Sequence, residues 1–278
     1  MVLFFWVGGI ILFLIAAILY CTAPGKMSPQ AEKSAKDFFG VNCAHRGLHT
    51  KDQVIPENSL TAFIKAHEEG YGLEIDVQLS KDGQVIVFHD NDLGRACGVD
   101  ELVKNLDWSE LSKLSLFDTN EKIPLLTDAL EVVGDAPVIV ELKPAGKNNA
   151  ELCQKTLEIL RKCGKVWSVE SFDPRIGAWF KKNAPDVLRG QLSCPPQKFQ
   201  YISKLNSILL GHLLTNFLSR PHYLAYSKDT HPFTVKFCRL FEPMNAVWTV
   251  RPEDDIKHFE NTNDTIIFEY YTPLPKFK

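Results

Sequence analysis

Apolar and polar positions follow two patterns along most of this chain, one typical of strands and one typical of helices. Short apolar runs typical of buried strands recur from residue 41 onward, and segments with the periodicity of amphipathic helices lie between most of them. The predicted strands are residues 41–44, 73–77, 138–141, 166–171, 187–191, 223–226, 246–250 and 265–268. The predicted helices are residues 59–69, 125–133, 150–163, 174–182, 198–219, 232–240 and 252–259.

Strands and helices that alternate in this way predict the α/β class and a parallel TIM (β/α)8 barrel over residues 38–278. Asn58 or Ser59, Thr127 and Asp173 are candidate helix caps, and Pro252 would lie near a first turn. Residues 80–124 interrupt the alternation, because a turn at Lys81-Asp82-Gly83 precedes a strand pattern over 85–88 that would run back. We therefore predict an insertion between the second strand and its helix.

The N-terminal segment has a different composition. Residues 2–23 contain no charged side chain, and as a helix they would span roughly 30 Å. A cleaved signal peptide would need a positive start and a small-x-small cleavage site, which are missing, and Tyr20 is a poor neighbour for a lipidated Cys21. The sequence therefore predicts one transmembrane helix over residues 1–23 and a polar linker over 24–37.

The side of the membrane follows from the lysines next to this segment. Lys26, Lys33 and Lys36 follow it, and no lysine or arginine precedes it. The positive-inside rule then predicts a single-pass membrane protein with its catalytic domain on the cytoplasmic face.

Overall composition limits the candidate functions. The chain has 278 residues, 45% hydrophobic and 23% charged, with a formal net charge of -3. No general attraction to nucleic acid is expected, so any affinity for a phosphate anion must come from a local site. The cysteines form no CxxC motif and no cluster with histidine, which predicts free, mostly buried thiols rather than disulfides or a zinc site. They are Cys21, Cys43, Cys97, Cys153, Cys163, Cys194 and Cys238.

Polar motifs interrupt the apolar pattern at strand ends and in the turns that follow. Catalytic groups of such barrels gather at the C-terminal ends of the strands. Glu74 and Asp76 point to one face, because strand side chains alternate, and two carboxylates inside a barrel need a positive partner. A hard divalent cation, Mg²⁺ or Ca²⁺, would supply it, with Glu141 as a third ligand.

The remaining polar groups suit the cleavage of a phosphodiester. The guanidinium of Arg46 and the ammonium of Lys143 can neutralise the phosphate. His45 and His89 are the candidate acid/base pair, since imidazole titrates near pH 7, although the sequence does not say which is which. Trp248 could pack in the core or wall the substrate pocket.

Glu57 and Asn58 have two interpretations each. Glu57 could occupy the first turn of the helix that follows, and Asn58 could be only its cap. Asn58 could equally act in the site.

These motifs together resemble the glycerophosphodiester phosphodiesterases, from about Asn42 to Ile267. The resemblance is carried by His45-Arg46-Gly47, Pro56-Glu57-Asn58-Ser59, Glu74-Ile75-Asp76-Val77, His89-Asp90, Glu141-Leu142-Lys143, Ser171-Phe172-Asp173 and Trp248-Thr249-Val250. It implies a TIM barrel with a small insertion and metal-dependent release of glycerol 3-phosphate. The two histidines of the family's motifs correspond to His45 and His89. Its metal ligands correspond to Glu74, Asp76 and Glu141, and its phosphate-binding residues correspond to Arg46 and Lys143.

One departure lies at the end of the last strand. Many family members have Thr-Asp-Arg-Pro there, whereas this chain has Ile267-Phe268-Glu269-Tyr270-Tyr271. Three functions fit the sequence: hydrolysis of water-soluble glycerophosphodiesters, the same chemistry on a lysophospholipid or another lipid-linked phosphodiester, and a catalytically inactive binding module. Because every expected position is filled, the third is the least favoured.

Overall fold

The closed barrel predicted from the sequence is present in the structure. The computed structural model describes residues 2–200 and 202–278, with side chains described from residue 6 onward. Within these residues eight parallel strands form the barrel, which closes because the first strand pairs with both the second and the last. The strands are β1 (Val41–His45), β2 (Gly72–Leu79), β3 (Val85–Val87), β4 (Val138–Leu142), β5 (Trp167–Ser171), β6 (Arg189–Ser193), β7 (Tyr223–Ser227), β8 (Met244–Val250) and β9 (Thr265–Phe268). Among the strands of the described residues, only β3 is antiparallel, and it pairs with β2 at the edge of the sheet.

Helices connect the barrel strands. The described helices are α1 (Val2–Thr22), α2 (Pro29–Lys36), α3 (Leu60–Glu68), α4 (Gly94–Cys97), α5 (Trp108–Leu111), α6 (Leu126–Val132), α7 (Asn149–Leu160), α8 (Pro174–Asn183), α9 (Lys204–Gly211), α10 (Asn216–Ser219), α11 (Phe233–Arg239) and α12 (Ile256–Thr262). Ser59, not Asn58, caps α3 by accepting from the amide of Ala62, and Asp173 caps α8 as predicted. Thr127 is not a cap, because α6 begins one residue before it.

Two helix predictions were wrong. Residues 198–219, of which Tyr201 lies outside the described residues, form no single helix; α9 and α10 are separated by a turn in which Leu213 has a φ of 57°. A left-handed residue cannot continue an α-helix, so the apolar periodicity spans two short helices. Helix α12 begins four residues after Pro252, because the carboxylate of Asp255 accepts from the amide of His258 and caps it there.

The predicted linker over residues 24–37 contains a helix that closes the N-terminal end of the barrel. Helix α2 buries Ala31 and Ala35, which pack together with Phe38 and with Tyr223 of β7. Its alanines face the barrel, and its charged residues face solvent. The polar composition of this segment therefore predicted a linker where the structure has the short amphipathic helix α2.

The segment between β2 and α6, predicted as an insertion over residues 80–124, reaches the barrel mouth through Arg95, which donates to Glu57. It contains β3, α4 and α5 and has an apolar cluster of its own, which includes Ile86, Phe88, Leu93 and Leu111. Because these side chains are almost fully buried, the insertion is a packed element and not a loose loop.

The N-terminal helix packs against the barrel through its C-terminal end. The guanidinium of Arg220 donates to the carbonyl oxygens of Tyr20 and Ala23, and the ring of Tyr20 stacks on Phe217. In the part of the chain that the structure describes, no helix is both long and apolar enough to cross a membrane. The transmembrane helix predicted over residues 1–23, whose Met1 lies outside the described residues, is therefore not supported. The described cysteines are all free, as predicted.

Candidate active site

Three carboxylates meet at the C-terminal mouth of the barrel. Glu74 and Asp76 lie two residues apart on β2, and Glu141 on β4 is the register partner of Asp76. One oxygen from each side chain lies within 4.8 Å of the others. All three are buried, so the cluster predicted from strand alternation is formed by two neighbouring strands.

The electrostatics of this cluster fit a bound cation. Burial, together with Asp76 and Glu141, raises the pKa of Glu74 well above its usual range. Burial would also raise the pKa of Asp76, but Lys143, His89 and Arg46 hold it below its usual range. The Oδ1 atom of Asp76 is buried without a hydrogen-bond partner among the described residues. An unpaired carboxylate oxygen facing two other carboxylates is the donor set that a hard divalent cation requires.

Arg46 lies beside the carboxylates in a left-handed conformation, with a φ of 56°. Its amide donates to Oε2 of Glu74 (3.2 Å), and its guanidinium donates to Glu57 (2.7 Å). Gly47 follows with a φ of +79°, and a Cβ there would lie 2.8 Å from Phe63. The chain can therefore bend sharply after β1 only with glycine at this position. Such strained backbone, at roughly 1 kcal/mol or more for Arg46, is typical of functional sites.

Asn58 acts inside the site and does not cap a helix. Its amide nitrogen donates to Oδ2 of Asp76 (2.8 Å), and its side-chain oxygen accepts from the backbone amide of Asp76. Its backbone is left-handed, with a φ of 55°. Asn58 therefore orients one of the candidate metal ligands, which decides between the two roles considered from the sequence.

His45 is held by a carboxylate from the last strand. Its Nδ1 lies 2.5 Å from Oε1 of Glu269, and the other oxygen of Glu269 accepts from Arg251 (2.8 Å). Burial, then the charge of Arg46, lowers the pKa of His45, and Glu269 opposes this shift. With Nδ1 bonded to Glu269, Nε2 is directed to the carboxylate cluster, 3.7 Å from Glu74.

His89 belongs to a chain of charged hydrogen bonds that crosses the mouth. Its Nδ1 contacts Asp90 (2.6 Å), and Arg95 donates to Asp90 (2.6 Å) and to Glu57 (2.7 Å). Glu57 in turn accepts from Arg46. Arg95, which belongs to the insertion, therefore links the histidine to the candidate phosphate-binding arginine.

Lys143 and Trp248 line the large cavity that opens from the mouth. The ammonium of Lys143 donates to Glu141 (3.1 Å) and lies 3.5 Å from Asp76. The indole of Trp248 donates to the carbonyl of Ala225 and packs edge-on against Phe172, with ring centroids 5.6 Å apart. Trp248 thus forms part of the cavity wall, and its indole N–H has a hydrogen-bond partner within the protein.

Sequence reasoning missed Glu269 and Arg95. Glu269 was noted as a departure at the strand end, but its partner His45 lies 224 residues away in the chain. Arg95 stands in a polar stretch of the insertion that carries no periodic pattern. An acidic residue directly after the last barrel strand was the available indication, because that position opens onto the mouth.

Replacing Arg95 by methionine should lower kcat about tenfold, on the order of 1.4 kcal/mol. The loss arises because His89 and Arg46 lose a shared support made of charge-assisted hydrogen bonds. Added guanidinium should restore part of the activity. The measurement is kcat from steady-state kinetics with and without guanidinium. The matched control is Arg161→Met, since Arg161 forms a surface pair with Asp186 and its side chain is 49% exposed, against 45% for Arg95. A variant with unchanged kcat would contradict a positioning role.

A barrel whose mouth holds three carboxylates, two cationic side chains and two carboxylate-supported histidines has the architecture of a phosphoric diester hydrolase. The model of the glycerophosphoryl diester phosphodiesterase family matches residues 45–268, and the chain belongs to that family.

Relatives agree with this assignment. Lysophospholipase D GDPD1 of Rattus norvegicus is 29% identical over 88% of this chain and 88% of its own length. The glycerophosphodiester phosphodiesterase of Caldanaerobacter subterraneus subsp. tengcongensis is 36% identical over 36% of this chain and 43% of that protein. The chain matches about half of the length of this and two other bacterial relatives.

Solved structures share the fold. A glycerophosphodiester phosphodiesterase from Thermotoga maritima superposes with a TM-score of 0.60 at 28% identity, covering 82% of this chain and 93% of that one. A phosphodiesterase from Oleispira antarctica, solved with its product sn-glycerol-3-phosphate, superposes with a TM-score of 0.68 at 24% identity, covering 86% and 96%.

Proposed function

We propose that this chain hydrolyses glycerophosphodiesters to glycerol 3-phosphate and an alcohol. The observation that carries the proposal is the convergence of Glu74, Asp76 and Glu141 with the cationic Arg46 and Lys143 at one barrel mouth. A phosphodiester anion needs such positive charge before a nucleophile can approach phosphorus. Membership of the family and the activity for which the bacterial relative is named support the same reaction.

Glu74, Asp76 and Glu141 would hold the divalent cation, with Mg²⁺ or Ca²⁺ as the proposed ion. An ion held by these oxygens would polarise the phosphoryl oxygen and orient the substrate. Arg46 and Lys143 would bind the remaining phosphate charge. Asn58 keeps Asp76 in place for this role through its two hydrogen bonds.

The two histidines would divide the proton transfers. His89 lines the cavity into which the leaving alcohol must extend, and Nδ1 is bonded to Asp90, so Nε2 would protonate the leaving oxygen. His45 lies on the side of Glu74, and its Nε2 would accept the proton of the nucleophile. Glu269 and Asp90 stabilise the imidazolium form that each histidine takes during the cycle. The nucleophile is water or the glycerol 2-hydroxyl of the substrate.

A lysophospholipid is the second candidate substrate, and the cavity favours it. The cavity has a volume of about 1090 Å³, and its wall combines apolar side chains with charged ones such as Arg175, Lys198 and Asp229. The apolar lining residues include Phe172, Phe199, Ile202, Leu209, Leu210 and Leu218. The apolar part of this wall could accommodate an acyl chain, and the rat relative is named as a lysophospholipase D.

We also propose that the protein contacts lipid through α1. Its exposed side chains include Trp6, Ile10, Leu12 and Phe13, each more than half exposed. Large apolar groups in this number favour a lipid surface over water. The location of the barrel on the cytoplasmic face stays a prediction from Lys26, Lys33 and Lys36.

The test is an assay of the purified full chain in detergent, stripped with EDTA and then supplied with Mg²⁺ or Ca²⁺. We expect metal-restored release of glycerol 3-phosphate from glycerophosphocholine, and Asp76→Asn is the inactive control. Choline release from lysophosphatidylcholine, without hydrolysis of glycerophosphocholine, would favour the second substrate. No metal-restored hydrolysis of either compound would contradict the proposed function.

A further inference from the structure

A second group of basic residues lies at the opposite end of the barrel from the carboxylates. Arg189 is the first residue of β6, and His222 directly precedes β7. Because the barrel strands are parallel, both residues stand at the N-terminal rim. The amide of His222 donates to the carbonyl of Arg189 (2.8 Å), and the two residues are only 1% and 4% exposed.

Both side chains are buried with polar atoms left unpaired. Nε of Arg189 donates to the carbonyl of Ser219 (3.1 Å), but Nη1 has no partner among the described residues. The ring nitrogens of His222 form no hydrogen bond of good geometry there, although the backbone of Lys26 lies close enough to oppose the shift in the pKa of His222. Burial lowers the pKa of Arg189 to about 10, and burial together with Arg189 lowers that of His222 to about 3.

Further positive charge surrounds this pair. Burial, then Arg220 and Arg189, lowers the pKa of Lys181, whose ammonium donates to the carbonyl of Leu218 (2.6 Å). Arg220 donates to carbonyl oxygens at the end of α1. In the described part of the chain no carboxylate forms a salt bridge with Arg189, Lys181 or Arg220. Buried charge is costly unless it is paired, so the cluster carries an uncompensated positive charge.

We propose that this cluster binds a tetrahedral oxyanion of the phosphate type. The unpaired Nη1 of Arg189 and one ring nitrogen of His222 are the donors, and Lys181 and Arg220 add charge. Guanidinium groups suit this ligand, because their donors match the spacing of phosphate oxygens. The same chemistry has two sources: free phosphate, or the headgroup of a lipid beside α1, whose last turn Arg220 binds. The site is separate from the catalytic mouth.

The test uses calorimetric titration of the full chain in detergent and EDTA, with Arg46→Ala and Lys143→Ala added to remove phosphate binding at the mouth. Inorganic phosphate is one ligand and soluble dihexanoyl phosphatidic acid is the other. We expect at least one of them to bind, with a tenfold or greater loss of affinity for Arg189→Met.

Two further variants keep the test independent of folding. Lys181→Met removes an exposed ammonium and should weaken binding about threefold, whereas Lys182→Met, at the next exposed lysine, should leave it unchanged. Binding of inorganic phosphate would show that the free anion suffices, and binding of the phosphatidic acid alone would identify a lipid headgroup. If neither ligand bound, or if Arg189→Met and Lys181→Met bound like the parent, the proposal would be overturned.

Discussion

The variants His45→Ala and His89→Ala should each lower kcat by at least about a hundredfold, because general acid–base catalysis contributes on the order of 10²–10⁴ in rate. The KM for glycerophosphocholine should change much less, since Arg46 and Lys143 still bind the phosphate. Steady-state kinetics with saturating metal makes the measurement. His45 is supported by Glu269 and His89 by Asp90, so each substitution alone should cause this fall in kcat.

His258→Ala is the control for these variants. His258 is exposed on α12, and its ring contacts only the neighbouring Phe259 among the aromatic side chains described. Its removal should leave kcat within about twofold of the parent, as expected for a surface change. If neither His45→Ala nor His89→Ala lowered turnover a hundredfold, the acid–base pair would be wrongly assigned.

Glu74→Gln should have opposite effects on activity and on stability. The substitution removes one of three candidate metal ligands, so kcat should fall at least about a hundredfold and the affinity for Mg²⁺ or Ca²⁺ should fall with it. In EDTA, however, the variant should unfold at a higher temperature than the parent. Burial beside Asp76 and Glu141 makes the negative charge of Glu74 unfavourable in the folded chain.

The stability difference should depend on pH in a defined direction. The pKa of Glu74 is raised on folding from a usual value of 4.5, so above that value the folded state binds more protons than the unfolded state. The parent therefore loses stability in EDTA as the pH rises, and the Glu74→Gln variant, whose amide does not titrate, avoids this loss. Thermal unfolding between pH 5 and 8 makes the measurement. Added metal should reverse the order, since it stabilises only a chain that binds it. A variant less stable than the parent in EDTA at pH 8 would contradict the argument.

The elements that the sequence predicted well are those whose pattern is local. The strand predicted over residues 265–268 is β9 with the same bounds, because four buried residues there follow a polar turn. Glu74 and Asp76 could be placed on one face from alternation alone. The break between α9 and α10 could not be predicted, since it depends on a left-handed residue, Leu213, inside a continuous apolar pattern.

The supporting residues of the site depend on contacts between distant segments. Glu269 reaches His45 only because β9 and β1 are neighbours in the closed barrel. Arg95 reaches Glu57 only because the insertion folds back over the mouth. The position of Glu269 after the last strand indicated a residue at the mouth, but the local pattern identifies the partner of neither Glu269 nor Arg95. The motif residues that they support were recognisable one by one.

The link through Arg95 has a consequence for protein engineering. Loops of (β/α)8 barrels are often treated as exchangeable parts that alter specificity while the scaffold keeps its function. Here the insertion supplies the guanidinium that joins Asp90 to Glu57. A chimera that receives a foreign insertion would keep a folded barrel but lose the alignment of His89 with Arg46. Grafts into this scaffold should therefore begin after Arg95, so that the grafted loop does not replace part of the catalytic machinery.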